Sequence, residues 1–187
     1  AYQIEVIKVE GMVKKEITNP LLRLFDLTDW EKLEPGDILE PGDKIKTGKN
    51  SFLDISYDNG TNTHIGEKSE IIIGENTQTE KGMASALKVN KGRIWARVKR
   101  AWNEITNFKV ITPSAVAGVK GTKFTVAVYN STVVSVKEGV VQLKEKKTNK
   151  KVLINRNMMS TASPGELKGP HKMNKREKKL WNKKEIK

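Results

Sequence analysis

The stretch TPSAVAGVKGTKFTV, residues 112–126, decides the fold. It sets Thr112-Pro113, a group of small residues and the glycines Gly118 and Gly121 directly ahead of a run that alternates through Phe124 and Val126. Read as chemistry, Gly118-Val119-Lys120-Gly121 is a GxxG with a lysine inside it. That pattern clamps a nucleic-acid backbone when it joins two helices. Its flanks here, Phe108-Lys109-Val110-Ile111 and Lys123-Phe124-Thr125-Val126, are strand-like, and Pro113 suits no helix end at this place. A phosphate-binding P-loop needs a longer glycine-rich loop ending in Gly-Lys-Ser/Thr, between a strand and a helix. Gly121-Thr122 has neither feature. The stretch therefore reads as a structural crossing. Ala115, Ala117 and Gly118 carry little side-chain volume, so neighbouring backbone can approach closely. Gly121 accepts a positive φ at no steric cost. Thr122 can bond backbone groups that the crossing leaves unpaired.

The same signature extends in both directions. Turn signals recur at short spacing in Pro35-Gly36-Asp37, Pro41-Gly42-Asp43, Gly48-Lys49-Asn50, Asp58-Asn59-Gly60, Gly74-Glu75-Asn76, Asn90-Lys91-Gly92 and Glu138-Gly139. Between them lie runs too short for helices and rich in Val, Ile, Thr and Phe, the pattern of an all-β domain. Leu53, Ile55 and Tyr57 alternate with Asp54 and Ser56, and Phe124, Val126 and Val128 repeat the period. Val134 and Val136, then Val141 and Leu143 past Gly139, do the same. Strand geometry sends such sets to one buried face. The tetrapeptide Glu34-Pro35-Gly36-Asp37 returns as Glu40-Pro41-Gly42-Asp43, two corners around a short strand at Ile38-Leu39. Leu21, Leu22, Leu24, Phe25 and Leu27 suit a short helix or an irregular strand. The expected fold is all-β, a β-sandwich or a short solenoid-like stack of twisted strands.

Charge divides the chain. The 187 residues carry a formal net charge of +13, from 35 Lys and Arg against 22 Asp and Glu. Residues 168–187 hold eight Lys and one Arg against two Glu, so this tail alone supplies +7. Breakers at Ser163-Pro164-Gly165 and Gly169-Pro170 set it apart, and Met173, Leu180 and Trp181 have helical spacing within it. The expected organisation is an all-β domain over 1–163 and a basic helical extension over 164–187. With no cysteine there is no disulfide framework and no thiolate metal site. No run reaches the about 18–20 apolar residues of a membrane span. A start at Ala1 suits a mature chain after removal of an export signal.

Beyond these patterns, the body resembles the FecR domain family. The residues that carry the resemblance are Trp30, Leu33, Gly36-Asp37, Leu39, Gly42-Asp43, Ile45, Thr47-Gly48, Ser51, Asp58, Gly60-Thr61, Ser69 and Lys91-Gly92. They continue through Phe108, Val110, Thr112-Pro113, Ala115, Ala117, Val119, Gly121-Thr122, Phe124, Val126, Val136, Glu138-Gly139 and Val141, so the likeness covers roughly residues 20–160. Lys120 departs from it, since the family usually has arginine there. The resemblance implies an exported all-β module, periplasmic or secreted after signal-peptide removal. It points to the simpler members that consist of a signal peptide and a single FecR domain, rather than to the membrane-anchored sigma-factor regulators.

Residues for catalysis are sparse. His64 and His171 are the two histidines, and no HExxH, GxSxG or histidine-metal spacing occurs. Asp54 with Asp58, or Asp26 with Asp29, falls short of the six or more oxygens that Ca²⁺ takes. The reading assigns no catalytic residue, no metal and no cofactor. Binding has better candidates in KGRIWARVKRAW, residues 91–102. Alternation sends Ile94, Ala96 and Val98 to one face and Arg93, Trp95, Arg97 and Lys99 to the other. An indole among cations can stack on a sugar ring or base while the cations bind phosphate or carboxylate. The structural alternative is an Arg-Trp ladder, or Trp95 covered by the N-terminal segment or by the tail. Trp181 has the same choice: the tail helix can lie on an anionic surface, dock on its own body, or remain solvated.

The functional expectation is a non-enzymatic binding module of the bacterial cell envelope, engaging an envelope protein or an anionic cell-wall polymer. A FecR-type signalling component acting through protein contact is the alternative. A nucleic-acid-binding protein using the tail and the 93–102 strand is the second alternative, and the less favoured partner. Nothing in the sequence specifies an oligomeric state.

Overall fold

Alternation becomes strand at residues 53–57, 124–128, 134–136 and 141–143. The computed structural model describes residues 3–80, 82–99 and 107–183. The chain opens with β1 (Ile4–Glu10) and β2 (Val13–Ile17), makes one helical turn, α1 (Pro20–Arg23), and continues in β3 (Asp29–Lys32), β4 (Ile38–Leu39), β5 (Lys44–Thr47), β6 (Phe52–Tyr57) and β7 (Asn62–Ile65). Two longer strands follow, β8 (Glu70–Thr79) and β9 (Gly82–Arg97). The second half contains β10 (Asn107–Ile111), β11 (Ala115–Val119), β12 (Lys123–Val128), β13 (Thr132–Glu138), β14 (Val141–Glu145) and β15 (Lys151–Ile154). It closes with β16 (Met158–Ser163), β17 (Glu166–Lys172) and the helix α2 (Lys175–Lys183).

Pairing arranges these strands in two layers. The first sheet runs β4-β1-β6-β7-β9-β12-β13-β16-β17. The second runs β3-β2-β5-β8-β9-β10-β11-β14-β15. β9 belongs to both: its start pairs with β8 and β10, and its end, from Gly92, with β7 and β12. Gly92 marks the change of layer with φ +100°, and a Cβ there would run into Ser69. All pairings among the described residues are antiparallel except β9 with β10. The chain passes back and forth between layers while each layer grows nearly in sequence order. Sandwich and solenoid-like stack thus describe one architecture.

Inward side chains of both layers form one core. Ile55, Tyr57, Phe124 and Val134 meet Ile45, Ile73, Phe108 and Leu143, and Tyr57 packs edge-on to Phe108 with ring centroids 5.6 Å apart. Burying each such side chain is worth about 1.5–3 kcal/mol. Ile55, Tyr57, Phe124, Val134 and Leu143 are alternating positions of the sequence.

Residues 112–126 form the corner between layers, because β11 lies in the second sheet and β12 in the first. Thr112 begins it: its Oγ1 accepts from the Ala115 amide at 3.0 Å and bonds Thr132 Oγ1 at 2.7 Å. Ser114 Oγ donates to the Ala162 carbonyl at 3.1 Å. At the far side Gly121 takes φ +62°. The Thr122 backbone exchanges hydrogen bonds with Val98, and its Oγ1 donates to the Val140 carbonyl at 3.1 Å. Gly118 differs from the close-approach reading, since no atom lies within 4 Å of where its Cβ would stand.

One segment takes a form that the sequence offered, a short helix, and one boundary differs from the sequence reading. The leucine-rich segment contains only the four-residue α1, then the short strand β3. The boundary after Ser163 falls inside a hairpin, because Pro164-Gly165 is the turn between β16 and β17. The lysine content of 166–172 masks a strand whose outward positions are solvated. The helix proper begins at Lys175, capped by Asn174, whose Oδ1 accepts from the Glu177 amide at 2.9 Å. Among the described residues no helix is long and apolar enough to cross a membrane.

Candidate functional site

The two outer faces of the sandwich are built differently. On the first sheet, alternation along β9 turns Arg93, Trp95 and Arg97 outward while Ile94, Ala96 and Val98 enter the core. α2 lies over this face. Arg93 donates to both oxygens of Glu177, Nη1 to Oε2 at 3.0 Å and Nη2 to Oε1 at 2.9 Å. Ser135 Oγ adds a third bond to Glu177 Oε2 at 3.2 Å. A planar guanidinium matches a carboxylate in this bidentate way, which fixes the helix in register as well as in place.

Around that clamp an apolar cluster closes. Trp95 is 5% exposed and Trp181 4%, packed with Met159, Met173 and the half-buried Val133. Among the sequence readings for Trp95, the structure adopts the one in which the tail covers it, with Arg93 also over its ring. The stack continues outward from the helix: His64 meets Trp95 edge-on at 5.4 Å, and Phe52 lies parallel to His64 at 5.5 Å. His64 Nδ1 is bonded to Asp54, so this histidine has a structural partner. Lys137 sits over the Trp181 ring at 5.5 Å, and Arg93 over the Trp95 ring at 5.8 Å.

The five predicted binding residues are therefore divided. Arg93 and Trp95 lie beneath α2, and Trp181 packs down onto Trp95 from the helix itself, so both indoles are buried in the contact. Arg97 is half-buried and Lys99 exposed beyond the helix, lining a shallow depression of about 240 Å³ with Thr122, Lys123 and Glu138. Lys123 and Glu138 pair there at 3.0 Å. Trp102, in the same sequence stretch, lies outside the described residues. Among the described residues no cluster of three or more His, Asp or Glu is arranged to hold a metal ion.

Among the described residues no helix covers the second sheet. One register row crosses six strands on its outer face: Ile72, Lys88, Ile111, Val116, Lys144 and Lys151 stand directly opposite one another in turn. The next row is Lys109, Gly118, Gln142 and Leu153. Because Gly118 contributes no side chain, that row opens into a groove of about 530 Å³, walled by Val140 and Leu153 and flanked by Lys109 and Lys120. Sequence reasoning missed this face. Its residues are scattered from 72 to 153, and each alone reads as the solvated side of a strand. The signal was the lysines at the outward positions of consecutive strands.

A family model for FecR proteins matches residues 43–142, more than half of the chain.

The chain belongs to the FecR family. The match covers the interval from the second Pro-Gly-Asp corner to β14, within the wider span suggested by the sequence. Two crystal structures of a candidate anti-sigma factor from Parabacteroides distasonis share the fold. They align with TM-scores of 0.61 and 0.58, each at 15% identity and over 74% of this chain. This chain spans 63% and 64% of the length of those structures. No curated protein matches it at a significant level.

Proposed function

We propose that this FecR-family chain is a non-enzymatic binding module of the bacterial cell envelope that acts in regulation through protein contact. The observation that carries the reading is the asymmetry of its faces. One outer face is covered over β9, β13 and β16 by the chain's own helix, whereas the other presents lysines and aliphatic side chains in register across six strands. Such a surface suits a partner protein with acidic groups around an apolar patch, because opposite charges orient the encounter and the aliphatic positions bury area. The anti-sigma assignment carried by the two similar structures supports the regulatory part of the reading. An extracytoplasmic location goes with it as part of the proposal. Arg97 and Lys99 extend the cationic surface to the other side of the molecule.

Lysine excess favours an anionic cell-wall polymer as the second reading. The test separates the two. The full chain is cross-linked in envelope extract beside a Lys88→Glu/Lys144→Glu double variant. A defined protein band that the double variant loses by about tenfold or more supports protein contact through this face. Retention of polymer alone, released by moderate salt, supports the second reading. A protein captured equally by both chains overturns the assignment of the face.

A further inference from the structure

Between β2 and β3, α1 and the turn after it expose Leu21, Leu24, Phe25 and Leu27 at 69, 78, 73 and 58%. Four large apolar side chains left in water within seven residues is an unusual concentration for a surface. The segment is nevertheless ordered by its own hydrogen bonds. Asn19 Oδ1 caps the Leu21 amide at 2.9 Å, and the amides of Phe25 and Leu27 both donate to the Leu22 carbonyl, at 3.0 and 2.9 Å. Asp26 holds φ +53°, which tightens the turn. The result is a preformed knob that throws its apolar side chains outward. Residues 20–29 carry one Arg against Asp26 and Asp29, so the knob is slightly acidic.

The groove at the far end of the second sheet has the complementary character. Val140 and Leu153 are 43% and 57% exposed at its walls, Gly118 leaves its floor open, and Lys109 and Lys120 stand beside it with no acidic residue in the lining. Knob and groove belong to opposite edges of one sheet: β3 and β2 end it on one side, β14 and β15 on the other. At about 4.8 Å per strand they are some 30 Å apart along the sheet. A knob cannot fill the groove of its own chain.

From this juxtaposition we infer that the occupant of the groove is a second copy of this chain, whose β2–β3 knob seats Leu24, Phe25 and Leu27 against Val140 and Leu153, with Asp26 and Asp29 toward Lys109 and Lys120. The contact joins two different surfaces, so each added copy presents a fresh knob at one end and a fresh groove at the other. Heterologous contacts of this kind grow into chains unless the rotation closes a ring. The inference does not depend on the regulatory reading, because it concerns the purified protein alone.

Sedimentation of the purified full chain over a wide concentration range tests it, beside Phe25→Asp (knob) and Leu153→Asp (groove). Both side chains are largely exposed, and circular dichroism of each variant checks that it remains folded. The wild type is expected to pass through dimer to larger species as concentration rises, and each variant alone to remain monomeric. An equimolar mixture of the two variants retains one intact knob and one intact groove, and is expected to form a 1:1 dimer that grows no further. Lys109→Glu is expected to weaken wild-type association by about tenfold. A wild type that stays monomeric throughout, or assembly that persists in both single variants, or a mixture that fails to dimerise, overturns the proposal. Flotation with phosphatidylglycerol vesicles that Phe25→Asp abolishes, combined with a monomeric wild type, would give the knob to a membrane and overturn it as well.

Discussion

Glu145 is a carboxylate with no solvent exposure, and its hydrogen bonds join two turns. It accepts from Thr148 Oγ1 at 2.6 Å, from the amides of Lys147 and Thr148 at 2.8 and 2.7 Å, and from the Gly165 amide at 3.1 Å. The Thr148 hydroxyl first, and then the three amides, hold its carboxyl at about 2, below the ordinary 4.5, against the opposing effect of burial. A depressed acid stabilises the fold above its unfolded value and loses that contribution as pH falls toward its folded one. The thermal midpoint is therefore expected to hold steady from pH 7 to 5 and to drop between about pH 4 and 2. Glu145→Gln should lower the midpoint at neutral pH and flatten that acid limb, which a pH series of melts reads directly. Two glycines make a second residue-scale contrast. Gly139 has φ +83°, and a Cβ there would lie 2.7 Å from the Gly121 carbonyl oxygen and 2.8 Å from Thr122 Oγ1. Gly139→Ala is expected to cost about 1–3 kcal/mol in urea unfolding. Gly118→Ala, with free space around its Cβ, is expected to stay within about 0.5 kcal/mol of wild type. In sequence the two glycines look alike. What separates them is φ and the distance to the Gly121-Thr122 corner.

At the scale of elements, α2 shows how far a short helix depends on what it covers. Nine residues are too few for a stable isolated helix, since about 12–15 are needed even in favourable sequences. Its order comes from the Arg93–Glu177 clamp and the Trp95–Trp181 cluster. Removal of one partner of a buried charge pair leaves the other unpaired and costs about 3–5 kcal/mol. Undocking of α2 relieves that cost locally. Glu177→Ala is therefore expected to speed amide exchange across α2 and raise acrylamide quenching of Trp95, with a small change in global unfolding. Trp181→Ala should do the same, and truncation after Lys172, which removes the helix, should raise Trp95 quenching more strongly. If exchange in α2 matches that of the core strands in Glu177→Ala, the clamp does not hold the helix. The sequence revealed the helix and its apolar residues. Its partner was not legible, because Arg93 and Glu177 lie 84 positions apart.

For the whole molecule, charge and topology set behaviour. A net charge of +13 on 187 residues repels itself, and added salt screens that repulsion. The thermal midpoint is expected to rise as sodium chloride goes from about 10 to 300 mM, beyond one Debye length of screening between exposed lysines. A falling midpoint would mean that surface pairs such as Lys44–Glu16 outweigh the repulsion. The interlayer winding also makes most core contacts distant in sequence. Folding on a scale of milliseconds to seconds or slower is expected, since loop closure must precede the contacts that reward it.

Sequence alone determined the all-β class, the alternating core positions, the corner at 112–126 and the basic tail with its helix. These rest on local rules: the period of two in strands, the backbone freedom of glycine and proline's restriction, each acting within a few residues. Only tertiary structure decided that Trp95 is covered, that β9 serves both layers, and that lysines from β9, β14 and β15 stand in one row. Only it set a knob and a groove at opposite edges of one sheet. Such facts depend on register between segments tens of residues apart. Register is a property of paired strands, and no single segment carries it.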